Sequence, residues 1–238
     1  MKITPELFHA YLKCPTKCWL RATGEPPAGN TYADWVTAQA DSYRAVATEH
    51  LNGEVPMDAA VCSPRAENLK AAQWRLASSL TAHAQIDSLS LESELHAVER
   101  IPSEGRGKAA QFVPIRFISR NKLTTDDKLL LAFDALVLSQ VLGREVSLGK
   151  IVHGEDHATL KVKTSPLAGE VRKRLGKIAA LLTNPAPPDL VLNRHCAECE
   201  FRARCRKIAI EKDDLSLLSS MSAKERQKLR SKGIFTVT

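Results

Sequence analysis

The sequence has no run of apolar residues approaching the roughly 18 that a membrane-crossing helix needs, and Met1 to Pro5 lead into no signal-peptide hydrophobic region. Both absences predict a soluble, cytoplasmic protein with no membrane partner. A Walker A motif is also missing, so ATP-driven translocation would have to come from another polypeptide or a portion outside this sequence. Cysteine is sparse, six in 238 residues, and unevenly placed at Cys14, Cys18, Cys62, Cys196, Cys199 and Cys205. In a reducing compartment these spacings favour metal binding over disulfides, with Cys62 as a bystander thiol.

What is present is ordinary in bulk. With 44% hydrophobic and 26% charged residues the chain can bury one sizeable core, in one or two domains. The net charge of +7 is not evenly spread: residues 151–238 carry 17 Lys/Arg against 10 Asp/Glu, whereas residues 1–150 carry 17 against 17. Positive charge gathered in the C-terminal third suits a phosphate backbone, through neutralisation and counterion release; the alternative is a solvated basic face on an ordinary protein.

The element pattern points to an α/β core. Thr4 and Pro5 are start signals for a short helix, which places Cys14 at or just beyond its end. The stretch E-P-P-A-G-N is a loop, and helices are expected over Tyr32–Leu51 and Pro64–His83, which are Ala-rich. Leu91–Ile101 and Phe112–Ser119 read as two strands of a hairpin closed by an E-G-R-G turn. The run from Thr124 to Gly143, capped by Thr/Asp and stopped by Gly, reads as a helix buried on most sides. Glu145–His153 and Ala158–Thr164 are two further strands. Beyond Pro166, Leu167, Val171, Leu175, Ile178 and Leu182 share one helix face, leaving Arg172, Lys173, Arg174 and Lys177 largely elsewhere. N-P-A-P-P-D is a stiff linker into the cysteine cluster.

Cys196, Cys199 and Cys205 form C-x2-C-x5-C, three thiolates able to hold one face of a metal centre. A closed site needs a fourth ligand, and the candidates are Cys14 and Cys18. Either would staple an early segment to a late one. Spacing alone leaves open a zinc site made of Cys14, Cys18, Cys196 and Cys199, in a stapled interaction module.

The order of these features resembles the RecB-type branch of the PD-(D/E)XK nucleases, in particular its iron–sulfur members, the CRISPR-associated four-cysteine exonucleases and AddB-type subunits. It covers roughly residues 4–210: C-P near the start, helices, a strand hairpin with Pro114, an apolar helix, another hairpin, a basic helix, a proline linker and C-x2-C-x5-C. The resemblance implies an α/β, restriction-endonuclease-like core, a mixed central sheet flanked by helices, with its N- and C-terminal segments joined at a [4Fe–4S] cluster on Cys14, Cys196, Cys199 and Cys205. It further implies DNA as partner, single-stranded or at ends, in DNA processing or repair with a helicase or similar protein. Arg172, Lys173, Lys177, Arg194, Arg202 and Arg204 are the expected DNA contacts.

Family members place an Asp on the first strand and Glu-x-Lys on the second to hold Mg²⁺ or Mn²⁺ and activate water. Aligning V-P-I-R-F-I-S by its proline puts Arg116 at the Glu position and Ile118 at the Lys position. A permanent cation cannot ligate a hard metal, so the catalytic motif reads as lost. An active Mg/Mn-dependent exonuclease would need migrated acids, for which Glu99, Asp127 and Asp134 are the candidates, with His50 as an early-helix histidine. The expected domains are residues 1–211, the nuclease-like body, and 212–238, the start of a helix-hairpin-helix element resting on Gly233 and Ile234, truncated after its first helix.

Overall fold

The computed structural model describes residues 1–103, 109–218 and 221–238, and the E-G-R-G turn expected at 104–107 lies outside them. In chain order the elements are β1 (Lys2–Ile3), α1 (Pro5–Lys13), α2 (Pro15–Ala22), α3 (Thr31–Gly53), β2 (Ala60–Cys62), β3 (Leu76–Ile86), β4 (Leu89–Ile101), β5 (Gln111–Ile118) and α4 (Thr125–Leu142). There follow β6 (Leu148–His153), β7 (Ala158–Lys163), α5 (Ser165–Thr183), α6 (Arg202–Glu211) and α7 (Ala223–Arg230). Compactness groups the residues into two units: Met1–His9 with Gln39–Ala179, and Ala10–Ala38 with Ala180–Thr238. Residues 212–238 therefore fall in the same unit as Cys14 and the C-x2-C-x5-C stretch. No helix among the described residues is long and apolar enough to cross a membrane.

The first unit is a mixed α/β layer structure. Its sheet runs β2-β3-β4-β5-β6-β7, with β1 pairing the start of β4. The pairs β3/β4, β4/β5 and β6/β7 are antiparallel, while β2/β3 and β5/β6 are parallel. A parallel neighbour cannot be reached by a tight turn, and α4 supplies the crossover from β5 to β6. On one face, Ala47 of α3 packs with Leu76, Ala97, Ile115, Phe117 and Val152, and Tyr43 and Leu51 lie against them. On the other, Leu131 of α4 packs with Ile151 and Val162. Each face of the sheet thus buries apolar residues against a helix.

Helix α4 forms where its end signals predict. Thr124 Oγ1 accepts from Asp127 N–H while Asp127 Oδ2 accepts from Thr124 N–H at 2.7 Å, a reciprocal capping box. At the other end Gly143 adopts φ 67°, and Arg144 N–H closes onto Ser139 C=O at 3.1 Å. Gly149 of β6 makes the seat for this helix: a Cβ there would lie 2.8 Å from Leu131 Cδ2.

One expectation is overturned. The helix read over Pro64–His83 is instead a short 3-10 turn at Ala66–Ala71 followed by β3. Leu80 and Ala82 are fully buried while Thr81 and His83 are exposed, a period of two, and β3 is paired on both sides. Pairing between two strands outweighs the modest helix propensity of its alanines. The strands and helices expected from Leu89 to Thr183 are present with ends displaced by a few residues, as is the helix over Tyr32–Leu51.

Candidate metal and nucleic-acid site

The second unit is organised around its cysteines. Pro15 has no N–H with which to continue α1 and pushes the preceding residue out of the helical region, so Cys14 sits extended at φ −166°, ψ 123° between α1 and α2. Its N–H still closes α1 on Ala10 C=O at 2.8 Å, and its C=O accepts from Cys18 N–H at 3.1 Å. Cys196 lies in the 3-10 turn Arg194–Glu198, begun by Asn193, whose Oδ1 accepts from His195 N–H at 2.8 Å. Cys199 closes that turn, and Cys205 stands in the first turn of α6.

Cys14, Cys196, Cys199 and Cys205 all line one pocket, together with Lys13, Lys17, Asn193, Phe201 and Arg202. Cys18 does not line it. Fully buried one turn along α2, Cys18 has its thiol pushed up to about 12, chiefly by burial. The C-x3-C arrangement thus directs its two sulfurs to different places, and Cys205, left over in a zinc site of Cys14, Cys18, Cys196 and Cys199, joins the pocket instead.

The pocket's sulfurs are poised between opposing effects. Burial raises the thiols of Cys196 and Cys199, while the N–H of Asn193, 3.2 Å from Cys196 Sγ, and that of Phe201 at Cys199 favour their anionic forms. Cys205 is raised to about 11, first by burial and then by Cys199, Cys14 and Cys196. Metal binding at such a set would release protons and replace mutual repulsion with shared coordination. Among the described residues, no three His, Cys, Asp or Glu side chains are grouped closely enough to share a single metal ion.

Polar contacts hold the two cysteine-bearing stretches of this unit together. Asn30 Nδ2 donates to Ala197 C=O at 2.9 Å and Cys199 C=O at 3.0 Å, and Ala28 N–H donates to Glu200 C=O at 3.0 Å. Glu200 accepts from Lys17 at 2.9 Å and Arg21 at 2.5 Å, and Asn193 Nδ2 reaches Lys13 C=O at 3.3 Å. Sequence reading did not find Asn30, whose partners lie 167 and 169 residues away.

Of the expected DNA contacts in this unit, Arg194 and Arg202 are exposed, and Arg206 and Lys207 extend the same basic run; Arg204 is instead committed to Glu25. In the first unit, Arg172, Lys173 and Lys177 are exposed on α5.

The acids proposed for catalysis are not assembled. Asp134, 1% exposed, receives Arg116 Nε at 2.5 Å, a second Arg116 nitrogen at 2.9 Å and Ser93 Oγ at 2.6 Å. Asp127 serves the capping box and pairs with Arg120 at 2.7 Å, about 10 Å along α4 from Asp134. Glu99 pairs with Lys150 at 2.6 Å. By strand parity it shares the α3 face with Ala97 and Ile115, opposite the face on which Arg116 meets Asp134. His50 stacks on His157, ring centroids 5.2 Å apart, and His157 stacks in turn on Tyr43.

The tail departs from its expected use. Gly233, at φ 82°, donates to Arg230 C=O at 3.0 Å and Ile234 N–H donates to Leu229 C=O at 3.1 Å, the two bonds of a Schellman stop. These amides close α7 and are not offered to a phosphate. Arg226, 6% exposed, ties α7 to Asp214 at 2.6 Å and Asp189 at 2.8 Å.

No family model and no curated protein matches the chain. Among solved structures, a crystal structure of SSO0001 aligns at 14% identity over 85% of this chain and 84% of that one, with a TM-score of 0.47.

Proposed function

We propose that this protein is a DNA-binding iron–sulfur protein on a RecB-type, restriction-endonuclease-like body whose catalytic constellation has been replaced. The observation that carries the reading is the convergence of Cys14, Cys196, Cys199 and Cys205, but not Cys18, on one pocket. An all-sulfur set with a backbone N–H on one of its sulfurs, that of Asn193 at Cys196 Sγ, suits a [4Fe–4S] cluster, which takes each thiolate on a different iron. When bound it would supply a cross-link between residues 10–38 and 180–238 of the second unit.

Three features support the rest of the reading. The element order, from the extended C-P through hairpin, apolar helix, second hairpin and basic helix to C-x2-C-x5-C, follows the resemblance. At the Glu position of the resembled family stands Arg116, whose guanidinium is paired with Asp134 in a buried site. The second unit carries 14 Lys/Arg against 9 Asp/Glu, most of the chain's positive excess. A cytoplasmic location and a helicase or other DNA-processing partner belong to the same proposal.

Anaerobic purification tests it. Brown protein with about four iron and four sulfide per chain, binding single-stranded DNA with an affinity that falls as salt rises, is the expected result. Stoichiometric zinc without iron, together with absent or salt-insensitive DNA binding, would overturn it in favour of a zinc-stapled interaction module. Degradation of labelled single-stranded DNA with Mn²⁺, abolished by Asp134→Ala, would overturn the inactive reading and establish a Mg/Mn-dependent exonuclease.

A further inference from the structure

Only 5% of this sequence is aromatic, and large aromatic rings are ordinarily buried. Against that background Tyr32 and Trp35 are 49% and 56% exposed, side by side on the first turns of α3, with ring centroids 5.9 Å apart and planes 17° from parallel. The other aromatic exposed to this degree among the described residues, Phe235, has the Arg230 guanidinium 5.7 Å from its ring centre.

The pair is held in place. Asn30 Oδ1 accepts from Tyr32 N–H at 3.2 Å and Ala33 N–H at 3.3 Å, fixing the helix start, while the same side chain's Nδ2 grips Ala197 and Cys199 C=O. Through Asn30 the aromatic pair and the Cys199 stretch belong to one hydrogen-bonded corner of the second unit, whose cysteine pocket carries the exposed Arg202 on its wall. Unpaired bases stack on exposed aromatic faces whatever their sequence, and cationic side chains elsewhere in the unit can hold the backbone that carries them. A protein partner of the usual kind would ask for a wider apolar patch than two rings.

We propose that Tyr32 and Trp35 form a base-stacking platform for single-stranded DNA, coupled through Asn30 to the cysteine knuckle. This rests on the DNA-binding reading and adds to it the residues that receive the bases. Duplex DNA, whose bases are already stacked on one another, gains nothing from such a platform.

The test titrates cluster-loaded full-length protein with oligo(dT) and with a blunt duplex, at several salt concentrations, for the wild type, Trp35→Ala, Trp35→Phe and Arg202→Gln. Oligo(dT) should quench the wild-type tryptophan emission, and Trp35→Phe should lose most of that quench. Trp35→Ala should weaken oligo(dT) binding about tenfold or more, with the salt slope unchanged and duplex binding unaffected. Arg202→Gln should instead flatten the slope by about one unit. Trp35 is exposed, so loss of folding is not expected on substitution, and circular dichroism of each variant checks this. Wild-type protein that binds DNA, with Trp35→Ala unchanged, would overturn the platform while leaving the DNA reading intact. Wild-type protein that binds no DNA at any salt would overturn both, and retention of an unrelated protein by the wild type alone would then assign the pair to protein docking.

Discussion

Arg116 and Asp134 meet through two hydrogen bonds, 2.5 and 2.9 Å long, where both side chains are buried and Ser93 supplies a third bond at 2.6 Å. Buried ion pairs of this kind contribute little over a well-packed apolar pair, yet removing one partner strands the other's charge. Asp134→Asn should therefore cost about 3–5 kcal/mol, whereas Arg116→Met with Asp134→Leu should come within about 1–2 kcal/mol of the wild type or exceed it. Urea unfolding midpoints at constant slope check both, and a double variant as destabilised as the single one contradicts the argument.

The pocket separates the cysteines by role. Cys205→Ser should lose most bound iron after anaerobic preparation. Cys18→Ser should retain iron while losing about 1–3 kcal/mol of stability, because a hydroxyl replaces a thiol in a fully buried position. Iron per chain and thermal unfolding, measured on both variants, distinguish them; metal lost from Cys18→Ser but kept by Cys205→Ser would return the arrangement with Cys18 to consideration.

Acid should act on α7 through Asp214. Burial tends to raise this carboxyl, but the Arg226 guanidinium and Ser216 outweigh it and hold the group at about 2, below its ordinary 3.8. A depressed folded-state pKa means the stabilisation is fully present above about pH 4 and disappears as pH falls towards about 2. The shift corresponds to roughly 2 kcal/mol. Asp189 is lowered in the same direction, by Arg226 first, but its greater exposure makes it the weaker contributor. The stability difference between wild type and Arg226→Met, followed by denaturant unfolding from pH 6 down to 2, should shrink across the window from pH 4 to 2; a constant difference would refute the assignment.

Gly233 offers a distinction between two uses of one residue. With φ at 82° and nothing within 4 Å of an added Cβ, Gly233→Ala should lose about 1 kcal/mol from backbone strain alone. Since its amide is engaged in closing α7, DNA affinity should stay within about twofold of wild type. A tenfold loss of DNA binding with unchanged stability would restore the phosphate-contact role.

What the sequence discloses follows the range of the interaction involved. The apolar helix α4 is legible because its determinants, Thr124, Asp127 and Gly143, lie within it or beside it. Strand β3 carries its period-two signal at Leu80, Ala82 and Ala84, but alanine is equally at home in a helix, and the deciding neighbours β2 and β4 are visible only once paired. At the site, Arg116 and Ile118, standing where the resemblance expects Glu-x-Lys, are readable from the sequence alone. The partner of Arg116 is not, since Asp134 reaches it only after β5 and α4 have packed. Likewise the separation of Cys18 from Cys205 appears only in the fold, where Cys18 is fully buried on α2 and Cys205 lines the pocket with Cys14.

The second unit is assembled from two stretches with residues 39–179 between them. During translation Cys14 emerges some 180 residues ahead of the sulfurs it shares a pocket with. At ~5–20 residues per second that is a wait of about 10–40 s. Through that interval the β-layer can already form, while an unprotected thiol stands open to oxidants and stray metals. Any group held by all four sulfurs could thereby be delivered only in the final moments of synthesis or to completed chains.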